Sequence, residues 1–304
     1  MTDSVRVFQV DAFTSQRFCG NPAGVVLDAD ELSERDMQLL ARELNNGDTA
    51  FVLRPDGPDH DLRLRFFTPR NEAAFVGHAT VATHAVLASL QLEPRRRQKQ
   101  RSGVVEVDTL PGNPPRIAFR QPPPALGREL AAEELDAVLE SLALGRSDLD
   151  TRCPPQVVGR SSTRVLLGLG DAETLARARA DSVRLRALSL RLGAPGYFLF
   201  TLRPDDPAVL TQARMFCPAL GIEEDPVSGN AHALLGAYLL QHRLLDAATE
   251  PLPQLRTIEF NGAQGQHVGR PGRVAVTLEL EQGRLHAVSI CGEAVIVFES
   301  RVNF

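Results

Sequence analysis

The sequence predicts an α+β protein built as two similar halves, each with short strands around one apolar helix. Three observations carry this prediction. Alternating apolar and polar residues dominate the chain. Two glycine-led helices are apolar nearly all round, the pattern of a helix buried on every side. The residues leading into these helices also repeat between the halves.

In chain order, RVFQVDAF (6–13), TAFVLRP (49–55), DLRLRFF (61–67) and GVVEVDTL (103–110) read as half-buried strands. Between the first two, residues 31–44 place Met37, Leu39, Leu40 and Leu44 on a helix face. Gly77-His78-Ala79-Thr80 then opens a compact apolar helix, VATHAVLASL (81–90). The basic run EPRRRQKQR (93–101) reads as a solvated turn. Arg120-Gln121-Pro122-Pro123-Pro124 is a stiff linker, which divides the chain into halves of residues 1–121 and 125–304. A helix follows within ELAAEELDAVLESLAL (129–144), with its acidic residues early. Strands resume at PQVVGRSSTRVLLGL (155–169), GYFLFTL (196–202) and ARMFCP (213–218), and antiparallel strands about an EQG turn fill 272–299.

The repeat is the most informative feature. Residues 65–69 and 214–218 share R-x-F-x-P; Gly77-His78-Ala79-Thr80 follows the first copy and Gly229-Asn230-Ala231-His232 the second. A fainter echo pairs residues 48–53 with 162–167. A duplicated fold would supply two helix N-termini, each with unpaired N–H groups and a positive dipole end suited to an anion such as a small carboxylate. Three titratable residues stand at these junctions: Asp48 at a strand entrance, His78 in the first helix start and Asp225 just before the second. A carboxylate shielded beside apolar surface can take and return a proton, and a histidine can hold a carboxylate or relay one. Ser228 is placed to cap the second helix.

Other chemistries find little support. The chain of 304 residues has a net charge of −5, so no basic field draws nucleic acid or anionic lipid. It contains no tryptophan and two tyrosines, leaving no stacking platform for bases. No P-loop or G-x-G-x-x-G follows a strand, no H-E-x-x-H is present, and Ser161-Ser162 lies in no G-x-S-x-G elbow. Neither a secretion signal at the start nor an apolar run of about 18 residues is evident. Cys19, Cys153, Cys217 and Cys291 match no zinc or redox spacing, which points to reduced thiols in the cytoplasm.

Taken together, the chain resembles the PhzF-like family of phenazine-biosynthesis proteins. The resemblance runs through residues 18–25 (FCGNPAGV), 48–51 (DTAF), 65–69 (RFFTP), 77–80 (GHAT), 224–232 (EDPVSGNAH) and 269–272 (GRPG). It implies the diaminopimelate-epimerase-like fold, with two domains that are each a curved, mainly antiparallel sheet or barrel around a central helix. The last strand would return to the first domain. It also implies a cleft between the halves, no cofactor or metal, and a homodimer. Related epimerases use a cysteine before each glycine-led helix; Val76 and Ser228 stand there instead, which disfavours a thiol–thiol racemase.

The family's proton-shuttling glutamate corresponds to Asp48, one methylene shorter by about 1.5 Å, and a misplacement near 1 Å can cost roughly a hundredfold in rate. Asn230 replaces a serine of the phenazine enzyme. The expected function is therefore a cofactor-independent isomerase or epimerase acting on a small carboxylate. Asp48 would be its acid/base, assisted by His78 and Asp225, with Asn21, Gly77, Ala79, Ser228, Gly229 and Asn230 contacting substrate. A binding protein that has lost the chemistry and a lyase or dehydratase are the alternatives.

Overall fold

The computed structural model describes residues 4–92, 97–159, 162–245 and 255–304. The chain divides into two compact units, residues 1–121 with 291–304 and residues 122–290. The division after Gln121 falls in the proline-rich segment. The last fourteen residues return to the first unit, so the second ends at Ile290.

The first unit contains β1 (Ser4–Ala12), β2 (Asn21–Leu27), α1 (Glu34–Leu44), β3 (Asp48–Leu53), β4 (Leu62–Phe67), β5 (Glu72–Ala73), α2 (Gly77–Ser89), β6 (Arg97–Gln100), β7 (Gly103–Leu110) and β8 (Arg116–Gln121). β1 pairs antiparallel with β2, β2 parallel with β3 across α1, and β3 antiparallel with β4. β4 pairs antiparallel with β5 and parallel with β6 across α2. The Ser33–Asp36 capping box starts α1. Its buried stripe is Met37, Leu40 and Ala41, packed on Val5, Val7, Val26, Phe51 and Phe67; Leu39, assigned to that stripe from sequence, is exposed. Residues 93–96 of the basic run lie outside the described residues. Arg97–Gln100 form β6 rather than a turn, with Arg97 ion-paired to Asp61 and Lys99 to Asp56.

The second unit contains β9 (Leu126–Glu129), α3 (Ala132–Ser141), β10 (Gln156–Val158), β11 (Arg164–Leu169), α4 (Ala172–Arg177), α5 (Ser182–Leu192), β12 (Gly196–Thr201), β13 (Thr211–Cys217), β14 (Ile222–Asp225), α6 (Gly229–Gln241), β15 (Leu255–Gln264) and β16 (Gly272–Glu281). β17 (Arg284–Asn303) begins in this unit and passes into the first, where it pairs antiparallel with β1. Every residue of β11 and β12 is buried because both faces of this sheet are covered. Val165, Leu167, Tyr197 and Leu199 pack on α3 and α5, whereas Phe198 and Phe200 meet His232 and Tyr238 of α6.

The pairing order repeats between the units. β10 is antiparallel to β11, β11 parallel to β12 across α4 and α5, and β12 antiparallel to β13. β13 then pairs antiparallel with β14 and parallel with β15 across α6. Thus β3 corresponds to β12, and α2 to α6. The echo of residues 48–53 in 162–167 is therefore misplaced, since the counterpart of β3 is Gly196–Thr201. Two adjacent, wholly buried strands read alike in sequence, and only their pairing tells them apart.

Candidate active site

In the first unit, Asp48 opens β3 three residues after the C-cap of α1, Asn45. Reciprocal amide bonds between Gln9 and Asn46 (3.0 and 2.8 Å) pin the turn that delivers it. Phe51 and Leu53 pack toward α1, so strand alternation turns Asp48 to the α2 face. Asp48 pairs with Ala23 of β2, and the buried Asn21 lies two residues earlier on the same face. His78 is the second residue of α2, and its Nε2 lies 3.8 Å from Asp48 Oδ2, each side chain about one-eighth exposed. Val76 provides no side-chain cap, which leaves first-turn N–H groups of α2 available to an anion. At Gly77 an added Cβ would come within 3.0 Å of Phe119. Ala79 is fully buried in the helix.

The second unit gathers Asp225, Ser228, Gly229 and Asn230 around the start of α6. Ser228 Oγ accepts from the N–H of Ala231, the expected cap. Gln264, fully buried on β15, accepts from Ser228 N–H at 3.1 Å and donates to the Asp225 carbonyl at 2.7 Å. It therefore fixes the path of residues 225–228 into the helix. Asn230 Nδ2 donates to Ser162 Oγ.

The repeated R-x-F-x-P has a physical explanation in both units. Arg65 donates to both carboxylate oxygens of Glu72 and lies over the Phe67 ring, 5.0 Å from its centroid. Arg214 does the same with Glu224 and with Phe216, at 4.9 Å. Each bidentate pair ties a strand to the segment entering a glycine-led helix. Sequence reading missed both glutamates and Gln264; the repeated arginine was the available signal for the former.

A family model described as phenazine biosynthesis-like protein matches residues 10–300. The chain belongs to that family. It is 35% identical to an uncharacterized isomerase of Clostridium acetobutylicum, over 99% of each chain. Its identity to the trans-2,3-dihydro-3-hydroxyanthranilate isomerase of Pseudomonas aeruginosa is 31%, over 97% of this chain and 98% of the relative. Among solved structures, the Bacillus anthracis phenazine biosynthesis protein of the PhzF family superposes with a TM-score of 0.87 at 28% identity, over 99% of each chain. The chain is accordingly an isomerase with the PhzF-family fold.

Among the described residues of this PhzF-family member, no helix is long and apolar enough to cross a membrane, and no cluster of three or more His, Cys, Asp or Glu is placed to hold a metal ion. Burial pushes His78 down to about 4, so its imidazole is neutral at physiological pH. His84 and His232 are likewise held at about 4 by burial, against the opposing pull of Gln98 on one and the Ser228 carbonyl on the other.

An unfolded chain takes these protons near pH ~6.5, whereas the folded one refuses them until about 4. The unfolded state therefore binds more protons in that window, and stability present above it is lost as the pH falls through it. The melting temperature is expected to drop from about pH 6.5 toward about pH 4. His84→Gln should reduce that drop by about a quarter to a third, since His267 is also shifted down by burial beside the three histidines held at about 4. Parallel melting curves in the two proteins would show that His84 takes its proton as readily folded as unfolded.

Proposed function

We propose that this enzyme is a cofactor-independent isomerase or epimerase that moves a proton on a small carboxylate-bearing substrate held between its halves. One observation carries the reading: the Asp48 carboxylate stands 3.8 Å from a neutral imidazole at the open start of an apolar helix. Asp48 removes a proton from a carbon conjugated to the substrate carboxylate and returns it elsewhere on the carbon frame. Neutral His78, beside the first-turn N–H groups of α2, donates to the negative charge that develops. Such preorganised donors act on the transition state more than on the ground state.

Asp225, Ser228, Gly229 and Asn230 would orient the substrate from the second unit, with Asn21, Gly77 and Ala79 shaping the first. The similarity to the anthranilate-type isomerase favours a cyclic amino or hydroxy carboxylate. The four cysteines form no disulfide among the described residues, which favours the cytoplasm, and family resemblance favours a homodimer.

Incubation with small amino, hydroxy and cyclic carboxylates in deuterated water, read by NMR and mass, tests the reaction. Deuterium should enter one of them at a defined carbon without change of skeleton. Loss of water from the product would replace isomerisation with elimination. A carboxylate that binds and never exchanges would point to a binding protein.

A further inference from the structure

Strand register sets Arg164, Gly196 and Cys217 in one row across the second sheet. Arg164 pairs with Gly196, and Tyr197 opposite Phe216 brings Cys217 to the other side of Gly196. A Cβ added at Gly196 would lie 2.5 Å from Cys217 Sγ and 2.8 and 2.9 Å from Arg164 Cδ and Nε. The row faces α6, because Phe198 and Phe200, on the same face as Gly196, meet His232 and Tyr238 in turn. Strand and helix thus run side by side, and the Gly196 row is level with the first turn of α6. Ser162, two residues before Arg164, is bonded to Asn230 in that turn.

A guanidinium in this place lacks its usual company. Arg164 is 6% exposed; its Nη1 donates to the neighbouring Thr163 carbonyl, and beyond that the guanidinium meets the Cys217 sulfur in a side-chain hydrogen bond. Nε has no hydrogen-bond partner, and among the described residues no carboxylate pairs with Arg164. By contrast, the similarly buried Arg214 is bonded through both edges. Cys217 does not supply the missing charge. Burial pushes its thiol up to about 12 against the lowering effect of Arg164, with Asp225 raising it further, so it stays protonated. A buried charge with open bonding capacity is costly unless something arrives to meet it. The duplication sharpens the contrast. Arg164 and Gly196 correspond to Ala23 and Asp48, so a glycine takes the place of the first unit's carboxylate and the guanidinium stands beside it, on the neighbouring strand, where the first unit has an alanine.

We infer that Arg164 and the first turn of α6 form a carboxylate-binding site in the second unit, with Arg164 as a substrate-binding residue. A single guanidinium matches the single charge and planar fork of a carboxylate. The inference rests on the carboxylate-bearing substrate proposed above, and it names the residue that selects for that group.

The test is NMR of the full chain, observing the Arg164 Nε–Hε resonance, assigned by its loss in Arg164→Lys. Benzoate is the probe, inorganic phosphate the comparison, and ionic strength is matched with chloride. Benzoate should shift the Arg164 resonance and the amides of Gly229 and Asn230 saturably. Arg164→Gln should weaken that binding at least about tenfold. The wild-type resonance decides the matter even where a variant fails to fold. An Arg164 signal indifferent to benzoate, unchanged affinity in a folded Arg164→Gln, or phosphate binding more tightly than benzoate would each overturn the assignment. Failure of the isomerase reading would look different, as binding at Arg164 without deuterium exchange on any carboxylate.

Discussion

Asp48→Asn is expected to lower deuterium exchange by at least about a hundredfold, the lower range for a positioned general acid or base, while substrate binding and the melting temperature stay near wild type. The amide keeps the shape of the side chain and removes only the ability to take a proton. Retained stability is expected because Asp48 stands at the mouth of β3, outside the apolar cluster beneath α1. Asp48→Glu sharpens the test. It advances the carboxylate by about one carbon–carbon bond, a displacement of the size that changes rates by about a hundredfold. If the substrate sits against the shorter side chain, the glutamate variant loses activity with little change in binding. If it gains activity, aspartate is a compromise in this member of the family. Full exchange in Asp48→Asn would remove the residue from the mechanism and shift attention to His78.

The legible part of this molecule was the part written in local pattern. Strand alternation, the apolar glycine-led helices and R-x-F-x-P are each set by neighbouring residues and pointed to the two-unit plan. The candidate residues His78, Ser228 and Asn230 could be named because they lie at those helix starts, and Asp48 because it opens a strand. What stayed hidden depends on pairing between distant segments. Glu72 and Glu224 look like ordinary surface acids until the pairings of β4 with β5 and of β13 with β14 bring them onto the arginines. Gln264 lies 36 residues from Ser228, whose N–H it receives, and nothing near it in sequence marks it. Arg164 reads as a polar residue entering a strand; its burial beside Gly196 follows only from the parallel register of β11 with β12. The misplaced echo of β3 has the same origin.

That register also exposes one packing problem solved twice, and a four-member mutant cycle can test it. In the first unit, fully buried Gln98 on β6 donates to Thr80 Oγ1 at 3.1 Å, and Thr80 Oγ1 in turn donates to the Val76 carbonyl at 2.9 Å. The corresponding residues of the second unit are Gly262 and His232. Here the large side chain is on the helix: His232 Nδ1 donates to the Ser228 carbonyl at 2.8 Å, and its ring fills the space above Gly262. A Cβ at Gly262 would lie 2.4 Å from His232 Cδ2 and 2.8 Å from Thr211 Oγ1. Gly262→Gln alone should therefore destabilise the enzyme by about 3 kcal/mol or more, since a rigid buried ring cannot yield. His232→Thr alone keeps a hydroxyl for the Ser228 carbonyl but empties the volume of the ring, at about 2–4 kcal/mol. Made together, the two changes install the first unit's arrangement in the second. Urea unfolding should then show them less destabilising than their sum by about 1–3 kcal/mol. A double variant no better than the sum would mean that α2 and α6 share a position in the fold without sharing a packing scheme.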